Sequence, residues 1–312
     1  MTARQPTISA VVVSFNVADL LRACLASLEA ERAAGNLDEI IVIDSSSTDG
    51  SVRLVQDHFP DVCLQVVPNR GFGSAVNVGL ALASSDAIFI LNPDTVVCPG
   101  AVARLSRALY SANNIGLVGP RLRYPDGTNQ SSRRRFPTAW TPVFESTIFE
   151  EWFPSNRWVR HYRMLDEPGQ HPESVDWLVG AALMVRSDVV QQAGGFDESF
   201  WLYGEELEWC HRIGRHGWEI HCVPEAIVVH HEAASTSQDQ LASRLEFDRG
   251  RIRVQRIIHG DRAARRTAWM LKLNFASQLL REGLKWIVGH RRDLRRQRVA
   301  RYWTLLRSDL ND

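Results

Sequence analysis

The chain has 312 residues, 45% hydrophobic and 23% charged, an ordinary globular composition with core enough for one large domain or two smaller ones. No run of about eighteen apolar residues occurs, which argues against a spanning helix, and no charged-then-apolar leader precedes the first strand. Basic and acidic residues balance at 36 each, but residues 249–307 hold 17 Lys+Arg against 3 Asp+Glu, so the tail is expected to meet an anionic partner, a membrane surface or a polyanion.

The first strand is expected at Ile8 to Ser14, ISAVVVS, a β-branched apolar run suited to a buried parallel strand. Asn16 is placed to cap a helix whose apolar face is Leu20, Leu21, Cys24, Leu25 and Leu28. Glu39 to Asp44 reads as a second strand, the polar turn SSSTDG follows, and a helix runs to about His58. Val62 to Val67 is a third strand, NRGFG at 69–73 a loop, and Ser74 to Ala83 a helix. Ala87 to Leu91 is a fourth strand, ending at Asn92-Pro93-Asp94. Four strand–helix alternations predict a parallel sheet wrapped by helices. Beyond Pro99 come a helix, a strand near Leu117 and a Pro-Asp-Gly turn at 125–127. Ser131 to His171 reads as a long irregular stretch, Asp176 to Arg186 as one buried strand. Trp218–Val223 and Ala226–His230 read as two short strands flanking Pro224, and the chain is helical and basic after Ser235. The five cysteines form no CxxC pair, so buried thiols in a reducing compartment are expected.

Ligands of such sheets sit outside the carboxyl ends of the strands. The polar residues there are Ser14 and Asn16, Asp44 and Asp49, Asn69 to Gly73, and Asp94. Asp49 suits a helix cap; Asp44, ending an apolar strand, suits a ligand contact to a base N–H or a ribose hydroxyl. Asp94 suits a divalent cation bridging a diphosphate, since Mg²⁺ needs only one or two carboxylates beside phosphates. His230 can join it, because strand alternation turns only one of His230 and His231 toward a pocket. Arg133-Arg134-Arg135 is either a solvated surface or a phosphate contact. Gly194 to Trp209, GGFDESFWLYGEELEW, crowds aromatics and glycines against Glu205, Glu206 and Glu208 at the start of a helix through Arg215. That setting suits a pocket floor, and an acidic surface turn is the plainer reading.

Together these pieces resemble the inverting family-2 glycosyltransferases, especially their rhamnosyltransferase-like branch. The matching stretches are VVVSFN at 11–16, IDSSSTDGS at 43–51, NRGFGSAVNVGL at 69–80, LNPDT at 91–95, the VGPRL to PDGT region, DWLVGAALMVR at 176–186, residues 194–218 and VPEAIVVHHEAAS at 223–235. They stand in the family's order over about residues 8–235. The resemblance implies a GT-A type α/β fold, a mixed, mostly parallel sheet flanked by helices. A glycosyltransferase domain is expected over 1–238, with a nucleotide-sugar half at about 1–98 and an acceptor half at 99–238. Residues 239–312 are expected as a basic helical extension.

The resemblance also implies a nucleoside-diphosphate sugar donor, dTDP- or UDP-linked, a glycan or lipid-linked acceptor, and Mg²⁺ or Mn²⁺. It places Ser14, Asn16, Asp44, Arg70, Gly71, Asn77, Asn92 and Asp94 on the donor, and Asp94 and His230 on the metal. Asp44 would contact the base. Glu206 would be the general base, with Glu205 or Glu208 as competitors. Asp176, Trp177, Trp201 and Tyr203 would line the acceptor side. Two positions depart from the family pattern: Asn92 stands for the first Asp of D-x-D, and Glu206 for the usual Asp. The setting implied is cell-wall or polysaccharide biosynthesis by a cytoplasmic protein, docked peripherally at the inner face of the plasma membrane if the tail binds lipid. A homo-oligomer stays open, and a nucleic-acid partner is not expected.

Residues 268–288 carry a polar stripe, Asn274, Gln278, Arg281, Glu282 and Lys285, opposite Trp269, Leu273, Leu280, Leu284 and Ile287. Such a helix either packs on the body or lies on anionic lipid. Two other function classes remain: a nucleotide-sugar-binding protein without transfer, and a nucleotidyltransferase. The second would want a Lys-rich phosphate loop, and the first lysine here is Lys272.

Overall fold

β1 (Ile8–Ser14) is buried at every position, as a strand covered on both faces must be. The computed structural model describes residues 4–166, 169, 171–232, 240–289 and 291–310. The end of the last quoted motif and the start of the expected tail, residues 233–239, lie outside them. After β1 come α1 (Ala18–Ala33), β2 (Glu39–Asp44), α2 (Ser51–His58), β3 (Cys63–Val66), α3 (Phe72–Leu82), β4 (Ala87–Leu91), β5 (Thr95–Val97), α4 (Ala101–Leu109) and β6 (Ile115–Arg123). Then follow β7 (Arg133–Arg134), α5 (Thr141–Phe144), α6 (Ile148–Trp152), α7 (Arg157–Tyr162), β8 (Glu173–Val175), β9 (Trp177–Leu178), β10 (Ala182–Arg186) and α8 (Ser187–Ala193). α9 (Glu205–Arg215), β11 (Glu219–His230), α10 (Gln240–His259), α11 (Asp261–Ile287) and α12 (Arg292–Arg307) complete the chain.

The chain forms two compact units. The first is Met1–Arg135, Glu167–Trp201 and Glu205–Gln238; the second is Phe136–Asp166, Leu202–Gly204 and Asp239–Asp312. The first holds the sheet, in strand order β3-β2-β1-β4-β10-β6-β11-β5, with β8 also on β11. β3, β2, β1 and β4 run parallel, as the alternation predicts; β10 lies antiparallel between β4 and β6. The sheet is therefore mixed and mostly parallel, with helices over it. The apolar side of α1, Leu21, Cys24, Leu25 and Leu28, is buried against Val12, Ile40, Val42 and Phe89 in one core. Deep burial pushes the Cys24 and Cys210 thiols up to about 12, so neither is a nucleophile.

Four expectations change. Residues 177–186 do not form one strand: the chain breaks at Gly180, so β9 pairs with β7 while β10 enters the main sheet. Residues 218–230 do not form two: β11 runs through Pro224, because a register shift between Val223 and Ile227 absorbs the proline's missing N–H. The irregular stretch contains β7, α5, α6 and α7, and its helices belong to the second unit. Cys63 is exposed and Cys98 partly so, since β3 is an edge strand and Cys98 leaves β5.

The second unit is helical and held largely by buried polar contacts. Asp248 of α10, fully buried, pairs with Arg244 and Arg251. Arg251 also donates to the Pro142 and Glu145 carbonyls at the ends of α5. A small apolar cluster, Ile252, Ala264, Leu271, Phe275, Leu305 and Leu310, joins α10, α11 and α12. The polar stripe of α11 turns inward. Asn274 accepts from the Ile148 N–H at 3.0 Å, and Glu282, 2% exposed, pairs with Arg295. The apolar stripe turns outward.

Candidate active site

Parallel register aligns the carboxyl ends of β1, β2 and β4: Ser14 stands beside Asp44, and Val12 beside Leu91. Asp44 is buried. Its Oδ1 accepts from the Ser47 N–H at 2.7 Å, while among the described residues its Oδ2 and the Ser14 hydroxyl have no partner. An unsatisfied buried oxygen costs about 1–3 kcal/mol, a burden that a ligand donor would relieve.

Asn16 does not cap α1. It sits at φ 52°, a left-handed conformation that Asn tolerates, and its Oδ1 accepts from the Thr48 N–H at 2.7 Å. The cap comes instead from Asp49, whose Oδ2 accepts from the Ala18 N–H at 2.8 Å and whose Oδ1 accepts from Ser51. Burial opposes ionisation of Asp49, but the Ser51 and Ala18 hydrogen bonds outweigh it and hold the carboxyl below its ordinary range.

The 69–73 loop is pinned to the stretch before α9. The Phe72 N–H donates to the Trp201 carbonyl at 3.1 Å. Gly71 has φ 96°, and a Cβ there would lie 2.6 Å from the Trp201 oxygen, so only glycine fits. Arg70 is exposed. Asn77 spends its side chain on the same stretch: it accepts from the Phe196 N–H and donates to the Phe196 carbonyl and to Glu198. Asn77 thus fastens the loop that leads to the carboxylates.

Asp94 and His230 meet through strand pairing, because β5 and β11 put Thr95 opposite His230. His230 Nε2 lies 3.3 Å from Asp94 Oδ1, and both side chains are buried. Its Nδ1 lies 2.9 Å from Gln130 Oε1. With Nδ1 protonated toward that acceptor, the Nε2 lone pair faces the carboxylate, and a shared cation or a shared proton reconciles the two. A second ring nitrogen held by an oxygen acceptor is the usual support of a metal-ligating histidine. Gln130 escaped the sequence reading. It stands on the return arm of the Pro-Asp-Gly turn, where its N–H donates to the Leu122 carbonyl, and no local pattern marks it. Among the described residues no group of three or more His, Cys, Asp or Glu converges on one point; Asp94 and His230 bring together two donors, a carboxylate oxygen and an imidazole nitrogen, of the kinds a divalent cation takes. Asn92 is partly buried, and its N–H donates to the Ala181 carbonyl at 2.9 Å.

α9 carries the three carboxylates into different environments. Trp209 is fully buried, stacks near Phe196 with centroids 4.5 Å apart and donates to the Gly194 carbonyl at 2.8 Å, which closes the preceding stretch onto the helix. Glu208 is held by both arms of Arg212, at 2.9 and 2.6 Å. Glu205 is sealed: 4% exposed, with Oε2 unpartnered. Burial, reinforced by the charge of Glu206, holds its carboxyl well above the ordinary range. Glu206 is partly exposed and lies over Gly180, whose absent Cβ would meet the Glu206 side-chain carbons at 3.4 Å. The next residue, Ala181, accepts from Asn92. Glu206 thus packs on the 180–181 segment, which is bonded to Asn92 at the end of β4.

The expected acceptor residues stand in unlike surroundings. Trp177 is buried and donates its indole N–H to the Arg135 carbonyl at 3.1 Å. Asp176 lies 3.5 Å from the Arg135 guanidinium. Arg133 pairs with Glu173, so the basic run is engaged in ion pairs rather than simply solvated. Trp201 is 47% exposed, as a stacking face requires. Tyr203, at φ 69°, belongs to the second unit and packs edge-on against Phe247 there.

A family model described as Glycosyl transferase family 2 matches residues 9–167. The chain is 33% identical over 242 residues to the N-acetylglucosaminyl-diphospho-decaprenol L-rhamnosyltransferase of Mycobacterium tuberculosis (strain ATCC 25618 / H37Rv), across 73% of this chain and 77% of that one. Among solved structures it is similar to the mannosyltransferase PcManGT from Pyrobaculum calidifontis, in complex with GDP-Man and Mn²⁺, at TM-score 0.56 and 16% identity, over 97% of this chain and 86% of that one. It is also similar to GalNAc-T7 with UDP, GalNAc and Mn²⁺, at TM-score 0.56 and 18% identity, over 72% of this chain and 43% of that one. These two neighbours share the GT-A fold with the sheet unit described above.

Proposed function

The chain belongs to glycosyl transferase family 2 and is a glycosyltransferase, and from that premise we propose that it moves rhamnose from a nucleoside-diphosphate donor to a hydroxyl of a lipid-linked or glycan acceptor, with inversion. The sugar and the acceptor class rest on the 33%-identical relative, whose name specifies L-rhamnose and a diphospho-decaprenol carrier. The base rests on one observation: of the three carboxylates that open α9, Glu205 and Glu208 are buried, Glu208 is also held by Arg212, and Glu206 is the one partly exposed.

Asp44 holds the base or ribose of the donor through its unpartnered oxygen. Gly71 lets the 69–73 loop, on the donor side by the family resemblance, close against the Trp201 carbonyl where any side chain would clash. Asp94 and His230 would hold a divalent cation, which would supply charge neutralisation to the diphosphate leaving group. Glu206 accepts the proton of the acceptor hydroxyl as that oxygen bonds to the anomeric carbon. The anomeric C–O bond to the diphosphate breaks on the opposite face, so one displacement inverts the centre. The extra methylene of Glu206, relative to the Asp usual in the family, is accommodated by the close approach to Gly180. Burial and the neighbouring Glu206 charge disfavour the ionised form of Glu205. Asn77 and Trp209 keep the carboxylates in register with the donor loop.

The test is nucleoside-diphosphate release from dTDP-rhamnose in the presence of a polyprenyl-diphosphate-linked N-acetylglucosamine acceptor, with Mg²⁺ or Mn²⁺. Acceptor-dependent release that chelation abolishes and metal restores is expected, with NMR of the product giving the inverted anomer. Release only from UDP-hexoses would overturn the sugar assignment, and a retained anomer would overturn the single displacement.

A further inference from the structure

The helix α11 is built inside out. The residues on its buried side are Ala264, Leu271, Asn274, Phe275, Gln278 and Glu282, so much of its polar stripe is internal. Opposite them, at helical spacing, stand Trp269, Leu273, Leu280, Leu284 and Ile287, all exposed; Trp269 is 62%, Leu280 65% and Ile287 72% accessible. Val288 extends the stripe at 84%. At a rise of 1.5 Å per residue the stripe is roughly 28 Å long. Monomeric soluble proteins rarely leave so continuous an apolar face open without a use for it.

The charge around the stripe names the use. Arg262 and Arg265 continue the same face at its N-terminal end and are exposed; Arg291 and Arg292, also exposed, follow its C-terminal end. Residues 249–307 as a whole carry 17 basic against 3 acidic side chains. An apolar row that opens on a tryptophan, with arginines beyond both ends, matches the zone between acyl chains and anionic headgroups. No described helix is long and apolar enough to cross a membrane, so the stripe would lie on a bilayer rather than span it. A second copy fits less well, because pairing two stripes in either direction brings arginine ends together.

We propose that the exposed stripe of α11, with its arginine ends, is the surface by which this chain docks on an anionic lipid bilayer. The proposal goes beyond the transferase reading. It is tested without donor or acceptor, so the failure of one leaves the other standing. The full chain is sedimented with vesicles of phosphatidylcholine alone and of equal parts phosphatidylcholine and phosphatidylglycerol. Binding to the anionic vesicles is expected to be at least roughly tenfold tighter and to weaken with salt. The double variant Leu280→Glu, Ile287→Glu changes only exposed positions and should lower that binding about tenfold or more, with an unchanged melting temperature. If it does not fold, Arg262→Gln with Arg265→Gln takes its place and should lower anionic binding severalfold while leaving neutral binding unchanged. Equal binding by variant and parent, or no vesicle binding by the parent, would overturn the proposal. So would a parent dimer in sedimentation velocity that the double variant turns into a monomer, since a second copy would then cover the stripe.

Discussion

α9 and α11 are both amphipathic helices that bury carboxylates among apolar residues, and they differ in what they leave outside. α9 buries Leu207, Trp209, Cys210 and Ile213 and leaves Glu206 partly open at its first turn. α11 buries Asn274, Gln278 and Glu282 and leaves tryptophan and leucines outside. A hydrophobic stripe in a sequence says that a helix has two faces. Which face turns inward depends on what the rest of the chain offers it. The sheet offers α9 an apolar surface. α6 and α12 offer α11 a backbone N–H at Ile148 and the guanidinium of Arg295, and those partners suit the polar side.

One paired substitution separates the two cases most widely. Trp209→Ala removes a fully buried indole and its hydrogen bond, and should cost about 3–5 kcal/mol in denaturant unfolding. Trp269→Ala, the same change on the outward stripe of α11, should stay within about 0.5 kcal/mol. A comparable loss at both positions would mean that the α11 stripe is covered in the isolated chain.

A smaller effect sits within α9. The folded state holds Glu205 protonated above its ordinary value of 4.5, so it binds more protons than the unfolded chain as pH rises from there. Stability contributed at low pH is therefore lost as pH climbs through the raised value. Glu205→Gln removes that dependence, so its melting temperature should fall less than the parent's from mildly acidic to alkaline pH. Parallel pH profiles would show that Glu205 is not held neutral.

Most of the sheet unit was legible. β1, β2 and β4 are apolar runs too short for helices, and both faces of a parallel sheet bury such runs. The placement of Asp44 and Asp94 was legible, because each follows an apolar run at the carboxyl end of a strand. What was not legible came from pairing across distance. Gln130 reaches His230 only because the 125–127 turn folds its arm back beside β6. Glu205 and Glu206 are neighbours of one type, and only the helix orientation decides which is sealed. Asn77 looked like a donor ligand because its stretch follows the donor loop, yet its hydrogen bonds run to Phe196 and Glu198. The inward polarity of α11 needed the second unit's own polar groups to be in place first.

The proposed chemistry divides the labour among the three glutamates that open α9, Glu205, Glu206 and Glu208. The most direct measurement is turnover number for Glu206→Gln beside Glu205→Gln, with melting temperatures recorded for both. Glu206→Gln should lose roughly 10²–10⁴-fold in turnover while melting within a few degrees of the parent, and Glu205→Gln should keep most of its turnover. A Glu206→Gln variant with near-normal turnover, or a larger loss at Glu205 than at Glu206, would contradict the assignment.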